Sequence, residues 1–209
     1  MVNEYVVASR SESALPSPQA VVTPWRFWKI ALLFGALHFA VMTVGAFVVE
    51  PFSGGCMFII PAYFMVLAVA IPILRLQRFG AGVAVFLPYA VLGFFPTWYF
   101  EWHLSGSLIG LWGVFVWCLI GPLVGLTADL AFRLLPRRLD ARWRSVALGT
   151  VTGAAIFVTT WAALATLYRD PQSGAHFRFF TEGIVFSLPW LVVNGGFAGY
   201  TAHSLLRRG

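Results

Sequence analysis

Residues 106–144 limit the possible fold more than any other stretch. Gly106 to Leu135 is an apolar run with one acid, Asp129, and one base, Arg133, both in its last third. Pro136-Arg-Arg-Leu-Asp-Ala-Arg-Trp-Arg144 follows at once. At about 1.5 Å per residue, a helix of this length exceeds the roughly 30 Å hydrocarbon core of a bilayer. Short loops rich in Lys and Arg stay cytoplasmic. The run therefore predicts a membrane-spanning helix, and its arginines predict the side on which it ends.

Composition agrees with that reading. The 209 residues are 59% hydrophobic and 11% charged, with a mean hydropathy of +0.81. A soluble domain of this size needs more charge to cover its surface. A formal charge of +6 would suggest a nucleic-acid partner in a soluble protein. Here the bases sit in short loops between apolar runs, so no nucleic acid is expected. Cys56 and Cys118 form neither a metal-spacing motif nor a disulfide framework.

Residues 1–24 are Ser/Pro-rich and aperiodic, which predicts a disordered cytoplasmic tail. They do not form a signal peptide, because the next apolar run is too long for one and no small-residue cleavage site closes it. Residues 25–209 are expected to form one transmembrane domain. Its six spans fall at about 28–49, 56–75, 81–100, 106–135, 145–168 and 181–205. Twelve of the fourteen Lys and Arg residues then lie on one side; Arg169 and Arg178 are the exceptions. The expected fold is an all-α bundle of six transmembrane helices with both termini cytoplasmic, multi-pass in the cell inner membrane.

Small residues recur at a spacing of four: Ala36/Ala40, Gly121/Gly125, Gly149/Gly153 and Gly195/Gly199. In lipid such pairs let backbones approach closely. Packing within the bundle is the plain account, and a docking face for another membrane subunit is the functional one. The expected outer ends are aromatic and acidic, with Glu50 closing the first span and Trp98, Glu101, Trp102 and His103 closing the third. Interfacial anchoring explains aromatics at such positions. The alternative is an outward-facing pocket whose rings stack on a flat ligand while Glu50 or Glu101 holds a cationic or hydrogen-bonding group. Trp161, Trp190 and Asn194 join this candidate ligand-binding set. Asn194 serves equally as a hydrogen bond between helices, since polar groups at membrane depth need a partner or a cavity.

Enzyme readings find little support. The four histidines, 38, 103, 176 and 203, form no metal-binding spacing, and no nucleotide-binding loop is present. His38, inside the Ala36/Ala40 pair, is expected at a helix contact. Asp129 and Arg133, one turn apart, are expected to form an ion pair within their helix. No catalytic residue, metal site or cofactor is assigned.

Three stretches carry a resemblance. Ala36-Leu-His-Phe-Ala40 is similar to an Ala-x-x-x-Ala element in the first span of the substrate-binding (S) components of energy-coupling-factor (ECF) type ABC transporters. Gly121-Pro-Leu-Val-Gly-Leu-Thr-Ala-Asp-Leu130, with the basic loop and Ala147-Leu-Gly-Thr-Val-Thr-Gly153, resembles the passage from span four to span five of thiamine-precursor-type members. Leu188-Pro-Trp-Leu-Val-Val-Asn-Gly-Gly196 resembles the last span of that family. The resemblance implies capture of a vitamin or vitamin precursor from outside and docking on a transmembrane coupling subunit through Ala36 and Ala40. It also implies ATP hydrolysis by separate ATPase subunits. Two other functions stay open: a structural or assembly subunit of a larger membrane complex, and a lipid-modifying enzyme using Glu101 and His103 as an acid/base pair.

Overall fold

The computed structural model describes residues 23–44, 59–88, 90–91, 108–166 and 184–208. Among them the chain is all-helical, with six helices and no strand. These are α1 (Pro24–Val44), α2 (Ile59–Leu76), α3 (81–88 and 90–91), α4 (Leu108–Leu134), α5 (Ala141–Thr166) and α6 (Ile184–Arg208). Each falls on one of the six expected spans. The expected tail, the three expected outer connections and the later part of the expected third span lie largely outside the described residues.

α2 is the central element. Ala68, Val69, Ala70 and Ile71 are consecutive and all buried, so the middle of this helix is enclosed on every side. It packs against α1, α4, α5 and α6. Tyr63 donates a hydrogen bond to the Thr201 hydroxyl at 2.8 Å, joining the first turns of α2 to the last turns of α6. Tyr63 lies about 20 Å up α2 from its basic end, at 1.5 Å per residue.

The most intimate contact is between α5 and α6, which run antiparallel. Residues 145, 149 and 153 face 199, 195 and 191 in turn. A methyl group added at Gly149 would meet the Gly195 carbonyl, one at Gly153 the Leu191 carbonyl, and one at Gly199 the Ser145 carbonyl. α3 meets α4 in the same way, with Gly82 against Gly125 and the Phe86 ring on Gly121. α1 meets α3 through Gly35, which lies against the Val85 carbonyl and Pro88. Two of the small-residue pairs thus close one helix crossing together, and a third closes another. This is packing within the bundle.

The basic segments gather at one end. Arg78 lies over the Phe27 ring at 5.4 Å, Arg133 over Phe79 at 4.4 Å, Arg144 over Phe132 at 4.2 Å and Arg142 over Tyr200 at 4.9 Å. These contacts link the start of α1, the α2–α3 turn, the end of α4, the start of α5 and the end of α6. The α4–α5 connection is capped at both ends. Arg144 donates to the Phe132 carbonyl at 3.0 Å, satisfying one of the carbonyls left open where α4 ends. Asp140 accepts from the Arg142 amide at 3.3 Å as the N-cap of α5.

One expectation is corrected at this end. Asp129 does not serve an ion pair within its own helix. It is 2% exposed and accepts from the backbone amides of Gly80 at 3.1 Å, Gly82 at 3.2 Å and Val83 at 3.3 Å. The first turn of α3 points unsatisfied amides at this carboxylate, and a negative charge is favoured there. The turn that places it is tight: Gln77 and Gly80 both have positive φ, 48° and 91°. Arg133 turns to the Phe79 ring.

The outside of the bundle is apolar. Leu119, Leu123, Leu126, Leu130 and Leu134 form an exposed stripe at helical spacing on α4. Phe186, Trp190, Val193 and Phe197 form another on α6, and Leu32, Leu33 and Leu37 a third on α1. By length and composition, one helix within the described residues, Ala141–Ala163, is able to cross a membrane, and Ala62–Leu76 is a shorter apolar helix.

Candidate functional site

Five of the eight expected ligand-binding residues, Glu50, Trp98, Glu101, Trp102 and His103, lie outside the described residues. The other three stand on α5 and α6. Trp161 is 41% and Trp190 46% exposed, and both join the apolar outer surface. Asn194 is half-buried in α6 and has a partner. Among the described residues these three do not form an enclosed site.

Two hydroxyls stand out between these helices. Thr127, Ser145, Thr152, Thr159 and Ser204 each donate to the carbonyl four residues earlier, the usual way a helix absorbs a hydroxyl. Thr160 and Ser187 are buried, and neither Oγ1 of Thr160 nor Oγ of Ser187 has a hydrogen-bond partner. Continued along both helices, the antiparallel pairing that sets 153 against 191 places 160 level with 184, so Ser187 lies within about one turn of Thr160. Both hydroxyls thus belong to the α5–α6 seam, on the side away from the arginines. In the sequence Thr160 stands among the few polar groups of a long apolar run, next to Thr159, whereas nothing singles out Ser187.

An unpartnered buried hydroxyl carries an unrecovered desolvation cost of about 1–3 kcal/mol. Thr160→Val is therefore expected to leave the thermal stability of the ligand-free protein unchanged or to raise it by up to about 2 kcal/mol. Detergent melting curves would check this, and a loss above about 2 kcal/mol would mean that the hydroxyl has a structural partner.

The expected docking residues present a sharper picture. Ala36 and Ala40 are both exposed on α1, beside Leu32, Leu33 and Leu37. His38, between them in sequence, turns the other way. It is buried, with its ring edge-on to Phe86 at 5.3 Å, which is the helix contact expected for it. Of the four small-residue pairs, Ala36/Ala40 is the one left facing outward.

A cavity of about 440 Å³ opens at the basic end, between α1 and α3. Phe27, Trp28, Arg78, Phe79, Val83 and Leu87 line most of it. Nothing in the sequence points to this groove, because its rings and its arginine come from two stretches, 24–28 and 78–87, about fifty residues apart. Among the described residues no group of His, Cys, Asp and Glu could hold a metal ion. The chain matches no known family, no characterised protein and no solved structure.

Proposed function

We propose that the chain is an integral protein of the cell inner membrane, a six-span bundle with both termini cytoplasmic. In this reading it captures a vitamin or vitamin precursor in an outward-facing aromatic and acidic pocket. Separate coupling and ATPase subunits carry out transport. The apolar outer stripes support the membrane setting, since a monomer in water rarely exposes so much contiguous apolar surface. The observation that carries the functional reading is the outward Ala36/Ala40 pair. A pair of small residues exposed on a lipid-facing helix admits a partner helix at close range.

Purification in mild detergent followed by mass spectrometry of retained small molecules tests the capture role. A retained or tightly rebinding vitamin-type ligand is expected, with Glu101→Ala and Trp98→Ala weakening it at least about tenfold, the loss of one buried charged or aromatic contact. A protein that binds none of the water-soluble vitamins or their precursors sinks this reading.

Docking has its own prediction. Ala36→Leu and Ala40→Leu sit on an exposed face, so the melting temperature should move by no more than about 0.5 kcal/mol of stability allows. Co-purification of the coupling subunit should be lost. An intact complex carrying both substitutions would place the interface elsewhere.

A structural or assembly subunit is the second reading. The exposure of Trp161 and Trp190 favours it, because side chains on the outer surface suit partner helices as well as a pocket. Recovery of a different multi-subunit complex, with no small molecule bound, would decide for it.

A further inference from the structure

We infer that the groove between α1 and α3 binds an anionic phospholipid of the cytoplasmic leaflet. This inference rests on the membrane-spanning reading and is independent of what the outer pocket binds. The groove has two chemically distinct parts. At the basic end stands Arg78, its guanidinium carbon 5.4 Å from the Phe27 ring centroid. Further along α3, the walls are Val83 and Leu87, with Trp28 of α1 opposite. Trp28, Phe79 and Leu87 are each more than two-fifths exposed, so the groove opens to the outside of the bundle, where lipid would lie.

Charge decides the occupant. Among the described residues no acid lines the groove. The one carboxylate behind its wall, Asp129, is occupied by the amides of Gly80, Gly82 and Val83. Arg26 and Lys29 share this end of α1 but stand on its other face, so among the described residues Arg78 is the cation that lines the groove. A basic end followed by an apolar trough matches a phosphate followed by acyl chains. Anionic headgroups gain attraction from each nearby Lys or Arg, and a guanidinium binds phosphate with directed hydrogen bonds. A zwitterionic lipid would fill the trough equally well and gain less at Arg78.

The test uses the full chain, purified in detergent, stripped of lipid and mixed with equal amounts of phosphatidylglycerol and phosphatidylcholine. Native mass spectrometry counts the lipid retained. Phosphatidylglycerol should be held at least about fivefold more strongly, the factor carried by one basic residue at an anionic surface. Arg78→Gln should bring retention down to that of phosphatidylcholine. Leu87→Trp, which fills the trough without touching a charge, should reduce retention of both lipids. Arg208→Gln, at the end of α6, should leave retention unchanged. Equal retention of the two lipids by the wild type would overturn the inference, and so would loss of the preference on adding inorganic phosphate, which would mean that a free anion occupies the site. A carbonate wash of membranes separates this from the underlying reading: extraction into the wash would sink the membrane assignment, and the lipid site with it.

Discussion

Gly149→Ala is expected to be the most damaging single-methyl change in the bundle, costing more than about 4 kcal/mol. Gly149 faces the carbonyl of Gly195 and the backbone of Gly199, so the added carbon meets main chain that cannot swing aside. Relief requires α5 and α6 to separate along their length. That would also part Gly153 from Leu191 and Ser145 from Gly199, with loss of the dispersion contacts that close packing supplies. Gly196→Ala is the matched control. There the nearest atom is the Thr150 hydroxyl at 3.1 Å, on a side chain able to rotate, so a cost below about 1 kcal/mol is expected. Thermal unfolding monitored by size-exclusion in detergent compares the two directly. Equal stability of both variants would mean that the α5–α6 crossing is looser than described.

The second large effect is at Asp129. Removing its carboxylate in Asp129→Ala leaves three amides at the start of α3 without an acceptor. At roughly 1–3 kcal/mol for each buried unsatisfied group, and with the Gly80 end only part-buried, the total cost is about 3 kcal/mol. Asp129→Asn keeps one acceptor oxygen but loses the charge and turns an NH₂ towards one of the amides, so about 1–2 kcal/mol is expected. The informative comparison is Arg133→Gln. If the carboxylate were held by an ion pair, this change would cost nearly as much as losing the acid. As Arg133 is exposed and stacked on Phe79 at 4.4 Å, the loss should stay below about 1 kcal/mol. Melting temperatures of the three variants give the order. Comparable losses for Arg133→Gln and Asp129→Ala would restore the ion pair.

These residues also mark where sequence reasoning succeeds and where it stops. The six helices were legible because long apolar runs punctuated by basic loops have few other solutions. Packing through Gly149/Gly153 and Gly195/Gly199 was legible as well, because paired glycines serve close approach and little else in a helix. The role of Asp129 was not. Spacing within one helix favours Arg133 as its partner, while the amides it caps lie almost fifty residues away in the chain and are brought there by the fold. The four small-residue pairs look alike in sequence, and which of them stays outside depends on which face of α1 the Gly35 contact turns inward. The groove at Arg78 needed two distant segments to meet. The expected outer pocket was read from Glu50, Trp98, Glu101, Trp102 and His103, and its geometry rests on those residues still.

Affinity purification of the wild-type chain from membranes in mild detergent tests the central claim most directly. The account predicts that a coupling membrane protein and a pair of ABC-type ATPases come with it, and that a vitamin-type small molecule is retained. Recovery of the chain alone, or within a different complex and without a ligand, would contradict it.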